Sequence, residues 1–184
     1  MQASRLFNAR QAGRLHYGEV GQEEMTTHSD FTIRALEPHE TIAIRHSVLR
    51  PNQSVEQCRY EGDQDSTTFH FGAASCDGDV IGIATVLCCN EPRYKQFSSQ
   101  RQFRLRGMAV LPPFQQRGIG KTLLKACLEE AAKRECQVFW CNARVVAAEF
   151  YLKCGFSILN DAPFEIEGIG PHHVMFKQLD DLVV

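Results

Sequence analysis

The sequence predicts a mixed α/β fold, a β-sheet with helices packed on it, and three observations carry that expectation. Two apolar runs, "TFHFGAASC" (68–76) and "VIGIATVLCC" (80–89), are separated only by Asp77-Gly78-Asp79, and Asp-Gly between such runs signals a hairpin. Between Gly118 and Arg134, Ile119, Leu123, Leu124, Cys127, Leu128 and Ala131 fall on one helical face. Lys121, Lys125, Glu129, Glu130 and Lys133 fall on the other, a 3.6-residue period. Beyond residue 100 strand and helix patterns alternate, which lays helices on a sheet.

Each element has its own signal. "FTIRAL" (31–36) alternates apolar and polar positions and starts the sheet. Pro38 suits the first turn of a helix to about Leu49, with Ile42, Ile44, Val48 and Leu49 on its apolar side, and Pro51 stops it. Residues 51–68 are polar and form a long loop, and loops of that length are usually functional. The hairpin strands follow. "QFRLRGMAVL" (102–111) is a further strand, broken by Pro112-Pro113 before the helix of 118–134. "QVFWCN" (137–142) is short, apolar and central, and "RVVAAEFYLKC" (144–154) is a second helix ended by Gly155, which suits a left-handed cap. Last strands are expected around 156–167 and 173–179, with "EGIGP" as the turn between them. The sheet then has about seven strands.

Composition narrows the function. A chain of 184 residues is expected to form one domain. Residues 1–28 lack clear periodicity and are expected to be a poorly ordered extension, with Met25 an alternative start, so that the domain runs over 29–184. A net charge of −2, with basic residues clustered only at Arg101, Arg104 and Arg106 within a strand, argues against a nucleic-acid partner. No apolar run approaches the roughly 18 residues of a membrane span. The eight cysteines include no C-x-x-C pair, so no metal site is expected. Several stand where an apolar residue would pack, which points to reduced thiols and a cytoplasmic location.

The stretch "LPPFQQRGIGKTLL" (111–124) carries the chemistry. It ends like an ATP-binding P-loop, but the first glycine of that motif falls at Gln115, and "VFWCN" ends in no acidic residue to hold magnesium. A dinucleotide fingerprint fails because its third glycine falls at Leu123. What is present is a strand, a proline break, and Gly118 and Gly120 opening a helix. Successive bare N–H groups there form an anion site, with Arg117 beside it. An ordinary strand-to-helix turn has the same residues.

Gln115-x-x-Gly118-x-Gly120 resembles the acyl-CoA pyrophosphate loop of the GNAT superfamily of N-acetyltransferases. "RGMAV" before it, "ARVVAAEFYLKCGF" after it and the final "GPHHVMFKQL" resemble further segments of the same family, over about residues 31–180. The resemblance implies a mostly antiparallel GNAT-type sheet flanked by helices, with acetyl-CoA entering between the fourth and fifth strands. It also implies acetyl transfer to an amine, of a small molecule or a peptide, by direct attack in a ternary complex. A homodimer is a family-level expectation.

The same resemblance assigns roles. Main-chain groups of Gln115, Gln116, Arg117, Gly118, Ile119, Gly120 and Lys121 would hold the pyrophosphate, and Met108, Ala109 and Val110 would pair with pantetheine. Tyr151 matches the general acid for the leaving thiolate, although an aromatic at that position also suits a helix packed on a core. Where many members carry an asparagine seven residues before this tyrosine, the chain has Arg144, with Asn142 two residues earlier. Both are candidates for contact with CoA. The strand before the loop lacks the carboxylate base of some members. His172 is the base candidate carried forward, among His173, Glu165, Glu167, Glu61, Asp63 and His70, and a water relay would serve instead of any of them. Glu56, Glu61, Asp63 and Asp65 would attract a cationic amine or simply form a solvated loop.

Overall fold

The computed structural model describes residues 30–160 and 162–179, so the expected extension lies outside the described residues. The strands are β1 (Phe31–Ala35), β2 (Phe69–Ser75), β3 (Val80–Cys88), β4 (Gln102–Val110), β5 (Val138–Arg144), β6 (Ser157–Ile158), β7 (Phe164–Ile166) and β8 (Gly170–Gln178). They form one open sheet in the order β1-β2-β3-β4-β5-β8-β6, with β7 also on β8. The β2–β3 hairpin closes at Gly78, whose φ of 88° only glycine adopts freely. Among the described residues, only β4 and β5 are parallel. A parallel neighbour requires a crossover, and helix α2 (Ile119–Lys133) supplies it.

Strand alternation divides the core into two layers. Leu124, Cys127 and Ala131 of α2 pack with Phe69, Ala84, Val86, Phe103, Leu105, Phe139 and Cys141 on one face of the sheet. On the other face Leu36, Ile44, Ile83 and Ala109 close beneath the segment 38–49. Cys58 and Cys127 are fully buried, as small hydrophobes are.

Three boundaries differ from the sequence expectations. The helix from Pro38 is a 3-10 turn (Pro38–Thr41), one α-helical turn α1 (Ile42–Ile44) and a π-helical turn (Arg45–Leu49), changing pitch where the side chain of Arg45 enters the interior. The helix expected from Arg144 starts later, as a 3-10 turn Val145–Ala147 followed by α3 (Ala148–Lys153). Arg144 is instead the last residue of β5, because it pairs with His172 on β8. The last strands are β6, β7 and a longer β8 that starts at Gly170, where Ile166↔Gly170 closes a hairpin on β7. Pairing across the sheet decides these ends over local propensity.

The 51–68 segment keeps Glu56, Glu61 and Asp65 exposed, as a solvated loop does, but is tied down at three points. It holds a 3-10 turn (Glu56–Cys58) and buries Cys58, Tyr60 and Asp63.

Candidate active site

β4 and β5 run together only from Gln102↔Val138 to Leu105↔Cys141. Beyond Leu105 the two strands part, so the β5-facing edge of β4 has no strand partner over Arg106–Val110. A bulge reinforces the split: the β3–β4 register slips between Ile83↔Ala109 and Thr85↔Arg106, and Gly107 takes φ 65° there. A cavity of about 280 Å³ opens in the gap.

The cavity reaches both faces of the sheet. Met108, Cys141, Ala147 and Tyr151 line it on the α2 side, where Met108 and Tyr151 join the main core. On the other side it meets Arg50, Tyr60, Arg104, Arg106, Asn142, Arg144 and His172. Arg104 and Arg106 alternate with Phe103 and Leu105, and Asn142 and Arg144 alternate with the core residues Cys141 and Ala143.

Tyr151 is buried and hydrogen-bonded to the Cys141 thiol. Burial first, and the neighbouring cysteines next, raise its phenol well above 10. It is therefore a protonated donor at neutral pH. Burial also pushes the Cys141 thiol up to about 12, which removes it as a nucleophile. His172 is 5 % exposed, and its Nδ1 lies 2.7 Å from the Gly170 carbonyl oxygen. A carbonyl only accepts, so Nδ1 carries the proton and Nε2 keeps its lone pair. Burial lowers the imidazole's pKa, and Arg144 adds to that against the opposing effects of Gly170 and Glu165.

His173, paired with Ala143, does not line the cavity, and its buried Nδ1 has no hydrogen-bond partner among the described residues. The remaining base candidates are engaged or outside. His70 Nδ1 contacts Thr85 Oγ1 at 2.8 Å and its Nε2 contacts the Asp63 carbonyl at 3.0 Å. Asp63 is paired with Arg45 at 2.5 Å. Glu61, Glu165 and Glu167 are exposed, and none lines the cavity.

The turn before α2 lies beside the cleft. Gln116 has φ 62° and Gly118 φ 80°, and no side chain caps the helix. The first intrahelical bond runs from Thr122 N–H to the Gly118 carbonyl, so the N–H groups of Ile119, Gly120 and Lys121 have no acceptor among the described residues. Gln115 donates from Nε2 to the Val110 carbonyl at 2.9 Å and ties the turn to β4. A Cβ on Gly120 would stand 3.7 Å from the Phe150 ring and 4.0 Å from Met108 Cε. Such a turn can take an anion at the start of a helix.

A family model, described as the acetyltransferase (GNAT) family, matches residues 32–156. This chain belongs to the GNAT acetyltransferase family. It is 39 % identical over 147 residues to the uncharacterized N-acetyltransferase YitI of Bacillus subtilis (strain 168), covering 80 % of this chain and 95 % of the relative. Among solved structures, the fold is shared with a putative N-acetyltransferase from Lactobacillus plantarum, at TM-score 0.64 and 18 % identity, covering 82 % of this chain and 99 % of that one. It is also shared with Arabidopsis thaliana NAA60 in complex with acetyl-CoA, at TM-score 0.66 and 12 % identity, covering 81 % and 98 %. The fold of these acetyltransferases is thus present here.

Of the residues singled out in the sequence, the fold of this acetyltransferase brings Met108, Asn142, Arg144, Tyr151 and His172 to one cavity. Gln115 to Lys121 form the turn beside it. Ala109, expected to act through its main chain, sends its side chain into the opposite core layer, with Leu36 and Ile44. Arg50, Tyr60, Arg104 and Arg106 were not anticipated as site residues. The alternation in "QFRLR" was the available signal, since it sets both strand arginines on the face that Phe103 and Leu105 leave free.

Proposed function

We propose that this cleft moves the acetyl group of acetyl-CoA to a primary amine by direct attack in a ternary complex. The observation that carries the reading is a protonated phenol and an imidazole with a free Nε2 in the walls of one cavity, at the point where β4 and β5 separate. The free N–H groups from Gln116 to Lys121 receive the pyrophosphate. The unpaired edge at Met108–Val110 takes the pantetheine arm as an added strand, and Gln115 releases the Val110 carbonyl for it.

His172 Nε2 takes the proton that the attacking nitrogen sheds. A main-chain N–H on the β4 edge stabilises the oxyanion formed at the thioester carbon. As the carbon–sulphur bond breaks, Tyr151 gives its proton to the departing sulphur, exchanging its bond to Cys141 for one to CoA, and recovers the proton from solvent. A cysteine acyl intermediate is not part of this route, because Cys141 stays a neutral thiol. Asn142 and Arg144, with Arg144 Nη2 held at 2.6 Å from the Leu49 carbonyl, serve the acceptor side of the gap. Met108 packs the side facing α2.

The test joins calorimetric titration of acetyl-CoA with turnover of Tyr151→Phe. Acetyl-CoA binds both proteins equally, and kcat falls by about 10²-fold or more in the variant, as for loss of a general acid. Binding of ATP with magnesium in place of acetyl-CoA overturns the loop reading, and an unchanged kcat overturns the acid.

A further inference from the structure

Resting on that reading, we propose that the acceptor is a small amine that also carries an anionic group, a carboxylate or a phosphate, which Arg104 and Arg106 hold. Among the described residues the cavity is lined by Arg50, Arg104, Arg106 and Arg144 and by no aspartate or glutamate.

The rest of the chain treats arginine differently. Arg34, Arg45, Arg59, Arg93, Arg101 and Arg134 each lie within 3.7 Å of a carboxylate oxygen. Among the described residues, the arginines without one are the four around the cavity and Arg117 on the turn before α2. Unpaired guanidinium groups thus sort into two places. One is the turn expected to bind the phosphates of CoA. The other lies on the opposite face of the sheet, where the acceptor must enter.

What holds the cavity arginines leaves their charge unneutralised. Arg50 donates from Nη1 to Gln53 Oε1 at 2.6 Å and from Nε to the Tyr60 hydroxyl at 3.2 Å. Arg106 reaches only the Glu61 carbonyl, at 3.4 Å, and its Cζ stands 4.1 Å from the centre of the Tyr60 ring. Arg104 lies over Trp140 at 4.9 Å, and its buried Nε has no acceptor. Aromatic faces hold a guanidinium without occupying its fork of donors. Burial lowers the pKa of both Arg104 and Arg106, a penalty that a bound anion relieves. Repulsion from Arg104, Arg50 and Arg45 adds to it at Arg106, and repulsion from Arg93 adds to it at Arg104 against the opposing effects of Cys89, Cys141 and Glu91.

The same charges select against a cation. The acidic loop that could attract a polyamine reaches the cavity through Tyr60, but none of its carboxylates lines it: Asp63 is bound to Arg45, Glu56 to Arg59, and Glu61 and Asp65 are exposed. A volume near 280 Å³ lies at the small end for ligand pockets, which suits an amino-acid-sized molecule. Its anion seats on the β4 arginines and its amine faces the gap between the strands and His172.

The test begins with titration of CoA, and failure to bind overturns the transferase reading while the anion site is then tested on the free protein. Malonate is next titrated at constant ionic strength into CoA-saturated protein. Initial rates with acetyl-CoA compare O-phosphoethanolamine with ethanolamine, aspartate with aspartate diamide, and both with spermidine. Expected are saturable malonate binding and faster turnover of the anionic member of each active pair. Arg104→Met should lose about 10- to 100-fold in both, as for a charged hydrogen-bonded contact, with acetyl-CoA binding unchanged. Arg106→Gln is the second variant if Arg104→Met does not fold. Absence of saturable malonate binding, equal binding in the folded variant, or faster turnover of ethanolamine or spermidine overturns the proposal.

Discussion

In the proposed mechanism Tyr151 and His172, 21 residues apart in the chain, share a requirement, that burial keep each in its neutral form. For His172 the lowered pKa fixes the sign of two pH effects. As a base it works above its own pKa, so kcat/KM rises with pH on a limb centred below the ordinary 6.5 and is flat through neutrality. Tyr151, raised well above 10, adds no alkaline loss in the working range. In folding, the unfolded chain takes up the His172 proton first as pH falls, so this group's stabilising contribution is full above about 6.5 and declines below it. His172→Gln should abolish the acid limb and lower kcat by about 10²-fold, as read from a pH–rate profile. A limb that survives would assign the proton to another group. At this scale the sequence was informative for Tyr151, whose neighbours Phe150, Gly155 and Phe156 carried the family resemblance. For His172 it was ambiguous: two adjacent histidines point to opposite sides of a strand, and only pairing with Arg144 shows which one enters the cavity.

At the level of elements, the β4 bulge does most to create the site. Gly107 combines φ 65° with close neighbours, since a Cβ there would stand 3.0 Å from Tyr60 Cε2 and 3.3 Å from Arg45 Nε. An alanine meets both obstacles: the left-handed backbone alone costs about 1–2 kcal/mol, and the contact forces Tyr60 aside. Gly107→Ala should lower stability by at least that amount in urea denaturation. It should also raise the acceptor KM more than the acetyl-CoA KM, because Tyr60 positions Arg50 and Arg106. Equal changes in the two KM values would argue against that division. The glycine was visible in the sequence, but "RGMAV" is compatible with both a straight strand and a bulge. Similarly, "ARVV" carries no local mark of where β5 stops and α3 begins. Partner strands settled both.

Across the whole molecule, the buried pair of Arg45 and Asp63 joins parts remote in sequence. Arg45 is fully buried and donates to Asp63, to the Cys58 carbonyl at 3.0 Å and to Thr85 Oγ1 at 2.7 Å, while His70 bridges Thr85 and the Asp63 carbonyl. This network fastens the 56–68 segment, and with it Tyr60, over the sheet face that the arginines occupy. Removing one partner leaves a buried charge, so Asp63→Ala should cost about 3–5 kcal/mol, measured by chemical denaturation; a loss below about 1 kcal/mol would show that Arg45 finds another acceptor. Sequence alone determined the fold class, the helix faces, the turn at Gln115–Gly120 and the family, because periodicity, glycine and proline act over a few residues. The tertiary structure decided which side chains face one another across the gap. Arg50, Arg104 and Arg106 are ordinary surface charges in the sequence, Arg144 stands out only as a candidate for contact with CoA, and Asp63 is one of several loop acids. They become a cationic cavity and a buried clamp only because burial depends on strand alternation, a bulge and the parting of two strands, which no single segment of the chain contains.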